Sequence, residues 1–297
     1  MKIIKRISQR TSKFKTHPVT KDDELKALFR YVRFHTLNRF VSDIKYKWVG
    51  DLKFTASKGD AGIVGNIYFG LYEFEESIFI LHCLREYDLF LDVGANVGHY
   101  SLLASGINKC RSIAIEPVPE TFIKLKKLVE LNGLASKIEI MNIGVADKFG
   151  ELFFSTDRST MNRIVKSNYK SAVKVKVSTI DSVITSKCPL IIKIDVEGYE
   201  KFVLDGGIAT LSNTDLKAII IEINSSVKYY GIKDADIVDI MTRNGFLPYR
   251  YEPSTRCLVK LEDYNKTQFN TIFVRDIDFV TDRLKASPAI KILKKVF

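Results

Sequence analysis

Apolar and polar positions divide this chain into alternating helix and strand patterns. Residues 22 to 48 carry Leu25, Leu28, Phe29, Val32 and Leu37 at helical spacing and predict a helix. Residues 48 to 72 are rich in glycine and β-formers and read as short strands. A helix over 74 to 85 leads into a continuous apolar run, Leu89-Phe90-Leu91, which ends in Asp92, a glycine turn and a helical pattern through Leu102 and Leu103. A second apolar strand, Ile113-Ala114-Ile115, ends in Glu116, and the helix over 120 to 131 stops at Asn132-Gly133, a C-terminal signal. Strands are predicted over 138 to 143, 190 to 195, 218 to 223, 247 to 251 and 271 to 274, with a helix over 236 to 244 closed by Gly245. Residues 151 to 155 and 173 to 177 read as strands flanking a polar loop. Continuous apolar strands alternating with helices specify an α/β fold with a doubly wound sheet.

The turn Asp92-Val93-Gly94-Ala95-Asn96-Val97-Gly98-His99 carries the first chemical information. A buried strand feeding a helix through a tight glycine turn brings backbone N–H groups and a helix N-terminus to a ligand. Glu116 follows Asp92 by 24 residues, about the spacing at which an acid after the second strand reaches ribose hydroxyls. The expected ligand therefore contains adenosine. A dinucleotide wants Gly-x-Gly-x-x-Gly, so that pyrophosphate meets bare backbone. Here Asn96 puts a side chain at that point, and Asp92 would repel phosphate while suiting an ammonium group. S-adenosylmethionine, which has no phosphate and carries an amino-acid head, fits better than NAD.

The chain resembles FkbM-type S-adenosylmethionine-dependent methyltransferases. The pieces that carry the resemblance are Asp92 to Gly98, Ala114-Ile115-Glu116-Pro117, Val177-Ser178-Thr179-Ile180-Asp181 and Ile192-Lys193-Ile194-Asp195-Val196-Glu197-Gly198-Tyr199-Glu200. In that order they are specific, and they span roughly residues 70 to 225. The resemblance implies a Rossmann-like methyltransferase sheet of about seven strands, the last antiparallel. It also implies O-methylation of a sugar hydroxyl in a glycan, glycolipid or glycosylated metabolite. The division expected is a mixed α/β extension over 1–72, the methyltransferase domain over 73–282 and a basic amphipathic tail over 283–297.

In open α/β sheets ligands sit at the carboxyl ends of the strands. Those ends carry Asp92, Glu116, Asn142, Asp195 with Glu197, and Glu222 with Asn224. Cofactor contacts are expected from Glu73, Asp92, Gly94, Asn96, Gly98, Glu116 and Asn142, with Glu73 facing the cofactor's amino group. A sugar hydroxyl is a weak nucleophile and needs a general base; Asp195, Glu197 and His99 are the candidates. Asp195, Glu222 and Asn224 are hard oxygen donors of the kind Mg²⁺ accepts, although no ligand spacing demands a metal.

The formal net charge of +11 is uneven. Residues 1 to 15 hold six basic side chains and residues 283 to 297 hold five, with no acid in either, so the body between them is neutral. Ile3, Ile4, Ile7 and Phe14 recur at nearly helical spacing, as do Ile290, Leu293, Val296 and Phe297. Basic amphipathic ends suit an anionic membrane surface. The alternative is that they pack on the body. A neutral body without a target-base motif disfavours nucleic acid. Four widely spaced cysteines form no C-x-x-C pair and point to a reducing, cytoplasmic setting, with peripheral contact at the inner membrane face. Two other classes remain as alternatives: an NAD-type oxidoreductase, against which Asn96 stands, and a cofactor-binding scaffold docked on membranes, which would need none of Asp92, Glu116 and Asp195.

Overall fold

The computed structural model describes residues 11–57, 60–157 and 162–297. Its centre is an eight-stranded sheet built from β1 (Leu89–Val93), β2 (Arg111–Ile115), β3 (Ile138–Met141), β4 (Ile191–Ile194), β5 (Ala218–Glu222), β6 (Leu247–Glu252), β7 (Cys257–Lys260) and β8 (Asn270–Val274). The order is β7-β6-β8-β5-β4-β1-β2-β3. β3, β2, β1, β4 and β5 run parallel, and β8 is antiparallel to both β5 and β6. The strand beyond the expected seven is β7, which pairs only with β6. It lies at the edge and is mostly exposed, so its short segment lacks the continuous apolar run that marks the buried strands.

Alternating side chains build a core on each face. Phe90, Ala114, Ile191, Ile220 and Ile272 pack with α3 (Phe74–Cys83) and α4 (His99–Gly106), and Phe14, Val19, Phe34 and Phe54 of the extension belong to the same cluster. Leu91, Val93, Ile192, Ile194 and Ile221 point to the other face, where Val203, Leu204, Ile237 and Met241 cover them. Within the extension, α1 (Glu24–Leu37) is followed by a hairpin of Ile44–Lys47 with Lys53–Ala56 and by α2 (Ala61–Phe69). The strands expected over 48 to 72 are thus largely replaced by α2, whose described residues are nearly all buried. A helix enclosed on all sides has no polar stripe, so its sequence resembles a buried strand. Residues Gly150–Ser155 and Ala172–Ser178 do pair, within a small four-stranded sheet.

The described parts of the two ends pack on the body. Phe14 is fully buried against Phe69, with ring centroids 5.2 Å apart. Ile3, Ile4 and Ile7 lie outside the described residues. At the other end, Arg283 pairs with Asp88, Lys295 pairs with Asp22, and Phe297 meets Phe74 edge-on at 4.8 Å. Lys291–Ile292 and Lys295–Val296 form a hairpin, not the helical stripe the spacing suggested. It buries Ile290 and Ile292 and leaves Leu293 and Val296 exposed. None of the four cysteines is bonded to another. No described helix is long and apolar enough to cross a membrane.

The turn after β1 fits tightly against the end of β4. Gly94 has φ +81°, and a Cβ there would lie 1.9 Å from the Asp195 carbonyl oxygen. Gly133 has φ +64° with nothing within 4 Å. Gly94→Ala should therefore lose at least about 3 kcal/mol, from left-handed strain plus a backbone clash, whereas Gly133→Ala, bearing strain alone, should lose about 1–2 kcal/mol. Urea unfolding midpoints of the two variants check this; equal losses would remove the close approach as the cause.

Candidate active site

The strand ends β1, β2, β4 and β5 open onto a cleft of about 380 Å³, with Glu73, Gly94, Asn96, Glu116, Asp195, Glu197, Glu222 and Asn224 on its walls. Glu116 is buried, and both its carboxylate oxygens accept backbone hydrogen bonds: Oε2 from the Asn96 N–H and Oε1 from the Val118 N–H, each at 2.9 Å. Those bonds fix the carboxyl group at the mouth of the β1 turn. Burial pushes Glu116 up to about 7, against the pull of the two N–H groups. Asn142 does not line the cleft. Its amide donates to the Glu116 and Pro117 carbonyls at 2.9 and 3.0 Å, holding the turn after β2.

Asp92 also acts from behind the wall. Its Oδ2 accepts from the Ser101 N–H at 3.1 Å and from the Ser101 hydroxyl at 2.6 Å, anchoring the first turn of α4. The expectation that it faces a ligand ammonium is corrected: the strand pleat turns it inward, beside Lys193 in the β4 register. Gly98 is likewise a packing position, since a Cβ there would meet Leu125 at 2.6 Å. His99 leaves the list of candidate bases. Its Nδ1 is 3.0 Å from the Asn66 amide and its Nε2 2.8 Å from the Ser77 hydroxyl, and its ring lies 5.2 Å from that of Trp48. Burial, with Lys193 nearby, pushes the imidazole down to about 3. It joins α4 to the extension.

Glu73 does reach the cleft, from the residue before α3. Its Oε2 accepts the Tyr100 hydroxyl at 2.6 Å. The Asn66 side chain accepts the Tyr72 N–H at 2.7 Å, so the extension sets the position of Glu73. Glu73, Asn96 and Glu197 all have left-handed backbone, with φ of 48°, 51° and 51°. Three non-glycine residues in that region around one cleft mark stored strain of the kind that gathers at functional sites.

At the end of β4, Lys193 was not anticipated, yet it organises the centre of the site. It is 1% exposed, and its ammonium lies 3.2 Å from Asp195 Oδ2 and 5.6 Å from the Tyr100 ring centre. Burial lowers its proton affinity, but Asp195, Glu73 and Glu222 together outweigh burial and hold it charged. The signal was visible: a lysine inside the apolar run Ile191–Ile194 demands a buried anionic partner. Asp195, Glu197 and Glu222 each offer an oxygen within 4.8 Å of the others. Burial and the Asp195 charge push Glu197 up to about 7, and the same two causes raise Glu222 well above the usual carboxylate range. Asn224, expected as a ligand, lines the cleft, but its Oδ1 accepts the Ser226 N–H at 2.9 Å. The three carboxylates are hard donors that fit a divalent cation. Lys193 and retained protons also balance their charge.

These shifts give a pH signature. A carboxyl whose proton affinity rises on folding contributes stability that is complete below its unfolded value, near 4.3, and is lost as pH rises through its folded value. Glu116 and Glu197, both near 7, should make the ligand-free protein less stable as pH climbs from about 4.5 to about 7. Glu116→Gln should flatten part of that slope in thermal scans; an unchanged slope would mean Glu116 is already ionised.

Comparison with known proteins gives this geometry a family. The Methyltransferase FkbM domain matches residues 92–248, more than half of the chain. Hexuronic acid methyltransferase AglP of Haloferax volcanii is 28% identical over 152 residues, covering 50% of this chain and 61% of the relative. The chain thus spans less than two thirds of that relative's length. Among solved structures, a methyltransferase FkbM from Methylobacillus flagellatus aligns with a TM-score of 0.46 and 15% identity, over 84% of this chain and 60% of that one. An rRNA methylase from Streptococcus thermophilus aligns with a TM-score of 0.41 and 11% identity, over 67% and 93%. On the domain match, and with its motif residues gathered at the strand ends, the chain belongs to the FkbM methyltransferase family.

Proposed function

We propose that this protein is an S-adenosylmethionine-dependent O-methyltransferase acting on a sugar hydroxyl of a glycan, glycolipid or glycosylated metabolite. The observation that carries the reading is the opposition, across one cleft, of a fixed Glu116 carboxyl and the Lys193-paired Asp195 with Glu197 and Glu222. Family membership supports methyl transfer, and the relative that methylates hexuronic acid supports a saccharide acceptor.

S-adenosylmethionine, when bound, supplies an electrophilic methyl group. Glu116 accepts the two ribose hydroxyls with its remaining lone pairs. Glu73 balances the amino group, while Gly94 and Asn96 shape the turn. Lys193 holds the Asp195 carboxylate at the mouth of the cleft, where it orients the acceptor hydroxyl. Asp195 takes up the proton as the acceptor oxygen attacks, and Glu197, which burial pushes up to about 7, stands beside it as the second candidate base. A divalent cation such as Mg²⁺ would be held by Asp195, Glu197 and Glu222 and would acidify that hydroxyl. The same reading puts the enzyme in the cytoplasm, peripheral to a membrane that presents the acceptor.

Two outcomes test it. Glu116→Ala should weaken S-adenosylmethionine binding by about 2–4 kcal/mol in calorimetry, the loss of two charge-assisted hydrogen bonds, and wild-type affinity should rise as pH passes about 7. An unaltered affinity removes Glu116 from the ribose site. Asp195→Asn should bind the cofactor normally but turn over about 10²–10⁴ more slowly. Near-parental turnover in that variant would leave Glu197 as the group that matters.

A further inference from the structure

The extension presents an apolar face to solvent. α1 buries only Ala27 and Phe34. Leu25, Phe29 and Val32 form one stripe on its outer side, and Phe40 and Val41 follow just beyond its end. Phe29 is 65% exposed and Phe40 83%, so most of each ring faces water. The stripe is bordered by Arg33 and Lys26, and Arg39, Lys45 and Lys47 stand nearby, all exposed. The acids of this region are already engaged: Asp22 by Lys295, Asp23 by Lys26, Glu24 by Lys15 and Asp43 by the Ser57 hydroxyl. Among the described residues, no ion pair holds Arg33, Arg39, Lys45 or Lys47.

A second feature adjoins the first. A cavity of about 170 Å³ lies between α1, the strand Ile44–Lys47 and the C-terminal hairpin. Arg30, Arg33 and Lys47 line it, with Trp48 and Leu293, and among the described residues no carboxylate does. The hairpin brings exposed Lys291 and Lys294 to the same side of the molecule. Lys295 of the hairpin donates to the Pro18 carbonyl and pairs with Asp22, so the C-terminal hairpin meets the segment that leads into α1.

We propose that this face docks on an anionic phospholipid bilayer: the stripe Leu25, Phe29, Val32, Phe40 and Val41 enters the headgroup boundary, and the cavity of Arg30, Arg33 and Lys47 takes a lipid phosphate. An exposed apolar stripe with a cationic border is what an interfacial helix presents, and an apolar patch of this kind marks an interaction site. A second copy is the poorer occupant. A twofold interface sets the patch against itself, so the unpaired arginines and lysines of each copy would face those of the other. The membrane placement in the preceding section rests here on its own surface, and vesicle binding needs neither methyl donor nor acceptor, so it can fail without methyl transfer failing.

The test is co-sedimentation of the full chain with phosphatidylcholine vesicles, with and without phosphatidylglycerol, at low and high salt. Binding should require the anionic lipid and fade with salt. Phe29→Ser with Phe40→Ser, and separately Arg33→Glu with Lys47→Glu, should each weaken it about tenfold or more. Because these side chains are exposed or line the cavity rim, thermal midpoints should stay near the parental value, and either double variant suffices if the other is unstable. Equal binding to neutral vesicles, or no loss in either double variant, would overturn the proposal. So would a dimer in sedimentation velocity that Phe29→Ser with Phe40→Ser dissolves.

Discussion

Burying the Lys193 ammonium in the middle of a sheet would cost several kcal/mol if it stood alone, and the acids around it offset that cost. Asp195 comes from the end of β4, Glu222 from the end of β5 and Glu73 from the residue before α3. Three separately folded elements must therefore bring carboxylates to one point before the strand can close. The same requirement works in reverse. Without Lys193 the three acids would repel one another, and without Asp195 a cation would be stranded in an apolar wall. Charge balance thus ties the cleft to the sheet and explains why the extension, which delivers Glu73 through Asn66, is packed into the same core as α3 and α4.

Around that ionic centre the backbone is held in costly conformations. Glu73, Asn96 and Glu197 each sit in the left-handed region, at about 1–3 kcal/mol apiece. Each is locked from outside: Glu73 by Tyr100, Asn96 by its N–H bond to Glu116, and Glu197 by the neighbouring Gly198. At Gly198 a Cβ would lie 2.6 Å from the Ser226 backbone. The Glu200 carboxylate ties the same loop by accepting the Gly198 N–H at 3.0 Å. A cleft built this way pays for its shape before any ligand arrives, which is what fixed positioning of reacting groups requires.

The sheet was legible because its central strands are buried on both faces and so read as unbroken apolar runs. Glu116 was legible because spacing along a βαβ unit reports a distance in space. What escaped was direction. Strand pleat sends Asp92 inward to Ser101 although its neighbour Gly94 lines the cleft, and no linear pattern separates the two. His99 follows the glycine turn as expected, yet the extension supplies Asn66 and α3 supplies Ser77, partners that could not be foreseen from the turn. α1 is the reverse case. Its apolar periodicity predicts a helix over 22 to 48, of which Glu24–Leu37 forms and Ile44–Lys47 is a strand, and the usual inference that such a stripe faces the core fails for Leu25, Phe29 and Val32, because Ala27 and Phe34, with Leu28 and Tyr31 partly buried, make the contact. The lone charge in Ile191–Ile194 was the one readable sign of the ionic centre.

The C-terminal hairpin carries a consequence for biogenesis. Lys295 donates to the Pro18 carbonyl at 2.7 Å and pairs with Asp22, a closure across 277 and 273 positions of sequence. Contacts of such separation form late, because the intervening chain must be ordered first. On the ribosome, residues 11 to 37 emerge long before their partners. The cavity between α1 and the hairpin, walled on one side by Ile292 and Leu293, cannot close on a nascent chain until that hairpin has cleared the exit tunnel, by which time the sheet and its cleft can already be formed.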